Sequence, residues 1–234
     1  PEIRELDKLI EAGAGTIKMM TIAPERAGAI EAIEWLSVHG VLVAIGHTDA
    51  SFETTMEGIN AGATVATHLF NGMRPFNHRE PGPIPALLDD PRVVCELIAD
   101  PVHMHMGTLA FAAHASCAPW AVLVTDAMSA TGMPDGDYEL GGLKVTVAEG
   151  AARLTDSGSI AGSTITMDDA FRNAVKLAGL EVPVASQMAS QTPAELLGLD
   201  EIGKIEPGAR ADLLVYNEDL ELQAVMRAGD WIPR

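Results

Sequence analysis

Three histidines and two aspartates stand at or just beyond the ends of apolar, strand-like runs. His47 follows residues 41–45, His68 follows 63–67, Asp100 and His103 follow 93–99, and Asp126 follows 121–125. Neutral imidazole is a good ligand for zinc or iron, and one ligand from each of two adjacent strands gives converging geometry, so His47 and His68 are the candidate metal pair. A catalytic site usually has three protein ligands and an open water position, and the sequence supplies no clear third ligand. Asp126 suits a general base, because a carboxylate beside a metal-activated water can take its proton and later return it to a leaving group. His103 could polarise a carbonyl or bind an anion. Each residue also has a plainer reading, since a lone His after a strand is often structural and an Asp often caps the next helix. Four such positions on consecutive strands favour function.

The elements that must position these groups alternate. Strand-like runs at 16–22, 41–45, 63–67, 93–99 and 121–125 are separated by helical stretches at 25–38, 51–61 and 107–117. Alternating β and α units with wholly apolar strands predict a parallel sheet covered by helices, and such folds gather ligands beyond the carboxyl ends of the strands. After Asp126 the pattern changes. Residues 138–155 read as a two-stranded hairpin turning at Glu149-Gly150. Ser163 is expected to head a helix with Met167, Ala170, Phe171 and Ala174 on one face, and Thr192-Pro193 to start a short one. Strands return at 212–216 and 222–226. The stretch 71–85 is irregular, dense in Gly, Pro, Arg and His.

Composition bounds the function. The 234 residues are 47% hydrophobic with a net charge of -18, which disfavours a nucleic-acid partner because phosphate backbones need clustered cations. No apolar run reaches the length of a membrane span and no leader is visible, so a cytoplasmic protein without membrane association is expected. Cys95 and Cys117 read as buried, reduced thiols. His39, His78, His105 and His114 read as surface or local structure.

Taken together, "GHTDAS", "ATHLFNGM", "REPG", "ADPVH", "VTDAM" and "GSIAGS" resemble the N-acetylglucosamine-6-phosphate deacetylase family of the amidohydrolase superfamily. The resemblance runs from Ala23-Pro24-Glu25 onward, and "GKIEPGARADLLVYN" is the segment that leads such chains back into a small β-sandwich. It implies an α/β fold, a TIM-type (β/α)8 barrel of which strands four to eight are present, with residues 1–199 as partial barrel and 200–234 as sandwich strands. By the same resemblance, one divalent metal, zinc or iron, is held by His47 and His68, and Asp126 is the catalytic proton acceptor and donor. Asn71, Gly72 and His103 then bind substrate, Arg79 reaches the sugar phosphate across a homodimer interface, and Ile160, Ala161 and Gly162 form a loop over the substrate. The implied reaction releases acetate from N-acetylglucosamine 6-phosphate and leaves glucosamine 6-phosphate. A dianionic phosphate needs local cations, which Arg74, Arg79 and His103 supply.

The resemblance also implies a third ligand, a glutamate in an "H-L-E-G-P" stretch, and none occurs here. Strands one to three are missing as well, so the chain is expected to be the C-terminal part of a longer enzyme and to lack full activity. Two other readings stay open at this point: an amidohydrolase acting on another cyclic amide or N-acyl sugar, and a non-catalytic protein derived from a barrel.

Overall fold

The computed structural model describes residues 2–116 and 120–233. Cys117 and the expected end of the helix around it lie outside those residues. The chain divides into two compact units, Pro1–Leu97 with Ala112–Ala121, and Ile98–Phe111 with Val122–Arg234.

The first unit opens with α1 (Ile3–Gly13), an amphipathic helix that the sequence reading did not anticipate, with Leu6 buried. It continues through β1 (Met19–Ile22), α2 (Ala29–Val38), β2 (Leu42–Ile45), α3 (Phe52–Asn60), β3 (Ala63–Ala66), α4 (Pro83–Asp89) and β4 (Val94–Ile98), whose last residue enters the second unit. The pairings β1–β2, β2–β3 and β3–β4 are all parallel. Val43, Ala44, Ile45, Val65 and Ala66 are fully buried, as strands covered on both faces require. α2 starts at Ala29 and not near residue 25, because the chain turns through Gly28 at φ 74° first. α3 is capped by Ser51, whose hydroxyl accepts the Thr54 N–H at 3.1 Å.

After α5 (Met106–Ala115), β5 (Ala121–Val124) completes a five-stranded sheet in the order β1-β2-β3-β4-β5. Strands in chain order, without the reversal of a doubly wound sheet, make this part of a (β/α) barrel.

In the second unit the expected hairpin is a three-stranded antiparallel sheet of β6 (Gly136–Leu140), β7 (Leu143–Ala148) and β8 (Ala151–Leu154). Glu149-Gly150 makes the anticipated turn, and a second turn at Gly141-Gly142, with φ 57° and 83°, adds the extra strand. The next helix, α6 (Met167–Lys176), starts later than expected. Its cap is Thr166, not Ser163, in a reciprocal capping box with Asp169. α7 (Val182–Ser186) and α8 (Thr192–Leu196) are joined by a π-helical stretch over 187–191, in which the Thr192 N–H reaches the Gln187 carbonyl. Pro193 has no N–H to give, so the ladder widens there instead of breaking. The antiparallel strands β9 (Leu213–Tyr216), β10 (Leu222–Arg227) and β11 (Asp230–Trp231) follow. Tyr216 ties β9 to α6 through its hydroxyl on Asp168 Oδ1 (2.8 Å) and its ring on Phe171 (5.3 Å). Among the described residues no helix is long and apolar enough to cross a membrane.

Candidate active site

Three of the strand-end residues share a backbone signature. His47 (φ 49°), His68 (φ 30°) and Asp126 (φ 51°) all lie in the left-handed region, which non-glycine residues seldom adopt and which collects at functional sites. The chain must be held this way by its surroundings, and the contacts around each residue show how.

His47 and His68 face each other. Their Nε2 atoms are 2.9 Å apart and the rings meet edge to face at 83°. His68 is 6% exposed, and its Nδ1 is buried without a hydrogen-bond partner among the described residues. Zinc–imidazole bonds are about 2.0–2.1 Å. Two Nε2 lone pairs at this spacing therefore both fall within reach of one ion, and the pair fits a shared metal. Among the described residues no group of three or more His, Cys, Asp or Glu is disposed to hold one.

The turn after β2 is fixed by Glu25. Its Oε2 accepts the Thr48 hydroxyl at 2.5 Å and its Oε1 accepts the Asp49 N–H at 2.9 Å. The turn after β3 is fixed by Glu96, whose Oε2 accepts the His68 N–H at 3.2 Å and whose carbonyl accepts the Leu69 N–H at 2.8 Å. Neither glutamate is marked as functional by its spacing or its neighbours in the sequence. Between these turns lies Gly46, where an added Cβ would come within 2.6 Å of Thr67 Cβ. Gly72, at φ 60°, lies against the His47 ring, and a Cβ there would be 3.1 Å from Nδ1. Asn71 donates its side-chain amide to the carbonyls of His68 and Leu69 at 3.3 and 3.4 Å, so that group serves the turn. Glu25 also lines a cavity of about 510 Å³ along β1, with Thr21, Ile22 and Arg26.

The cations are placed unequally. Arg74 is engaged by Asp49 through Nε at 2.8 Å, which holds the Asp49 carboxyl below its usual range and ties Arg74 to the turn that carries His47. Arg79 is exposed, with Nη1 2.9 Å from His78 Nε2. His78 is thus the neighbour of Arg79. His39, by contrast, stacks on Trp35 and bonds its carbonyl, as local structure should.

In the second unit His103 is set by Asp100. The His103 side chain and its acid are each 4% exposed, with Nδ1 2.9 Å from Oδ2. Oδ1 accepts the N–H groups of Val102 and His103, both at 2.7 Å. Burial pushes the Asp100 carboxyl up, but the bonds from the His103 side chain and backbone outweigh it and hold the acid below its ordinary value. With Asp100 ionised, Nδ1 carries the proton and Nε2 is left to act.

Asp126 is stitched to the loop at 160–163. Its carbonyl accepts the Ser163 N–H at 2.7 Å, and the Ser163 hydroxyl donates to the Thr125 carbonyl. A Cβ on Gly162 would lie 2.9 Å from the Asp126 carbonyl oxygen. Ile160 is 37% exposed, whereas Ala161 is buried with Met128, Val145 and Ala152, so its side chain belongs to a small core. Cys95 is fully buried and burial, then Glu96, pushes its thiol up to about 12, as expected of an inert reduced cysteine.

The sequence matches the model of the amidohydrolase family over residues 3–232. It is 40% identical to an N-acetylglucosamine-6-phosphate deacetylase of Lysinibacillus sphaericus, over 98% of this chain and 59% of that protein. It is 42% identical to an N-acetylgalactosamine-6-phosphate deacetylase of Escherichia coli O157:H7, over 97% and 60%. Among solved structures it resembles a mutant N-acetyl-D-glucosamine-6-phosphate deacetylase from Mycobacterium smegmatis in complex with N-acetyl-D-glucosamine-6-phosphate. That match has a TM-score of 0.95 and 47% identity, over 99% of this chain and 61% of the other. The chain thus spans about three-fifths of the length of these relatives.

Proposed function

The chain belongs to the amidohydrolase family, and from that premise we propose that it takes part in the metal-dependent hydrolysis of N-acetylglucosamine 6-phosphate to glucosamine 6-phosphate and acetate. The observation that carries the reading is the facing pair of Nε2 atoms, 2.9 Å apart, on two strained strand ends. The likeness to deacetylases over nearly the whole of this chain supports the substrate class.

In this reading residues 1–199 are barrel and 200–234 belong to the sandwich. His47 and His68 hold one divalent ion, zinc or iron by donor type. When bound, that ion supplies an acidified water and a polarised acetyl carbonyl. Asp126 takes the proton of the attacking water and delivers it to the sugar nitrogen as the C–N bond breaks. His103 presents Nε2 to the substrate, with Asp100 fixing its tautomer. The backbone around Asn71 and Gly72 borders the substrate beside the imidazoles. Arg79 binds the phosphate of the neighbouring subunit's sugar in a cytoplasmic homodimer, and the loop at Ile160, Ala161 and Gly162 covers the substrate next to Asp126.

Metal content and acetate release, measured on the natural gene product that carries this sequence, test the proposal. Stoichiometric divalent metal and acetate from the phosphorylated sugar are expected, and a His47→Ala, His68→Ala variant should lose both. A folded product that binds no metal, or that hydrolyses the unphosphorylated sugar equally well, overturns it. The similar identity to the N-acetylgalactosamine-6-phosphate deacetylase favours a second reading, the galacto epimer, and the same assay run on both sugars separates the two.

A further inference from the structure

We propose that Glu25 and Glu96 are positioning residues, two carboxylates that flank the imidazole pair and hold the peptides carrying His47 and His68 so that both Nε2 atoms meet one ion. The inference rests on the metal reading of that pair. In the sheet order, β2 and β3 deliver the two histidines and are flanked by β1 and β4. Glu25 lies just beyond β1, after the buried Pro24, and Glu96 lies on β4. Each histidine is therefore held from the strand on its outer side.

The contacts fall where the backbone is strained. His47 has a left-handed φ, and the next two residues give Glu25 a hydroxyl and an N–H. Thr48 is 3% exposed, and its hydroxyl oxygen also accepts the Ala50 N–H at 3.0 Å, so the turn closes around a single buried oxygen. His68 also has a left-handed φ, and Glu96 takes the N–H of His68 itself with its side chain and the N–H of Leu69 with its carbonyl. A positive φ persists only where neighbouring bonds over-determine it, and here one glutamate does so at each histidine. Partners of this kind orient metal ligands, and their loss commonly weakens metal binding by roughly 10–100-fold.

The test measures the zinc dissociation constant of the whole chain by competition with a chromogenic chelator, with the visible spectrum of the cobalt-substituted protein reporting ligand geometry. Glu25→Met and Glu96→Met keep length and remove the side-chain acceptors, leaving the residue 96 carbonyl on the Leu69 N–H, whereas Glu25→Gln and Glu96→Gln keep a side-chain acceptor oxygen without the charge. Each Met variant should lose zinc affinity by about 10–100-fold and shift the cobalt bands, while its metal-free melting curve shows a folded protein. The Gln variants should return towards the unsubstituted affinity. Met variants that fold and bind zinc as the parent does overturn the proposal and leave the metal reading intact. Gln variants as weak as Met overturn it too, because charge and not held geometry is then at work. A parent chain that binds no zinc overturns both. Should a Met variant not fold, the Asp variant is read in its place, and full affinity with the carboxylate withdrawn by one methylene counts against the proposal.

Discussion

Replacing Gly46 by alanine probes how closely the strands beneath the imidazole pair are packed. The new Cβ would sit 2.6 Å from Thr67 Cβ and 3.1 Å from both Thr67 Oγ1 and Thr21 Cγ2. Carbon pairs rest at about 3.5–4.0 Å, so Thr67 must yield by roughly 1 Å. It has little freedom to do so. Its hydroxyl lies 2.9 Å from that of Thr21, and its N–H is bonded to the Ile45 carbonyl at 2.9 Å. Overpacking of this kind costs about 1–3 kcal/mol. A less flexible unfolded chain offsets about 0.4–1 kcal/mol of that, since Gly46 is not among the residues with positive φ. Taking the middle of each range, the net destabilisation is about 1.3 kcal/mol, which in a chain of this size lowers the melting temperature by about 3–5 °C. Thermal unfolding followed by circular dichroism reads it directly, and because Thr67 precedes His68 the zinc affinity should fall as well. An unchanged melting temperature together with unchanged zinc affinity would refute the packing argument.

Asp126→Asn should reduce acetate release by about 10²–10⁴-fold with metal content unaffected, and a variant that loses its metal instead would make Asp126 a ligand. Arg79→Ala should raise the KM for the phosphorylated sugar while leaving the melting temperature in place, because the side chain is exposed and its guanidinium is bonded to the adjacent His78. The Asp100–His103 pair makes stability depend on acid. The folded-state pKa of Asp100 lies below the ordinary 3.8, so its contribution is fully present above about pH 4 and is lost as the pH falls through the lower folded value. Urea unfolding at pH 5 and pH 3 should show that loss in the parent and a smaller one in Asp100→Asn, and equal losses would remove Asp100 from the account.

The parallel strands were legible because runs such as Val43–Ile45 contain no polar residue, and a strand that ends on His47 points to the site by its composition alone. The hairpin expected at 138–155 fell short by one strand because Gly141-Gly142 is a turn signal that a count of alternating residues passes over. Helix α1 carries Ile3, Leu6, Leu9 and Ile10 at helical spacing, but it precedes the first strand-like run and so falls outside the alternation that marks the other helices. At the site, the pairing of His47 with His68 followed from their strand-end positions, but the left-handed backbone that enables it leaves no mark in residue type. Glu25 and Glu96 escaped notice for the same reason. An acid in an apolar context reads as an isolated charge until the peptide it grips is seen. The salt bridge from Arg74 to Asp49, 25 residues away, is likewise a property of the folded chain that residue type does not mark.

The left-handed residues have a consequence for how this protein could be made more heat-resistant. His47 and Asp126 are exposed, so glycine at either position empties no core. It would relieve about 1–2 kcal/mol of steric conflict while giving up about 0.5–1 kcal/mol to the greater freedom of the unfolded chain. A search guided by thermal tolerance alone would therefore drift towards glycine at the positions assigned to ligand and proton carrier. Durability and turnover pull against each other at those two positions, and a screen for robust variants must keep both under functional selection.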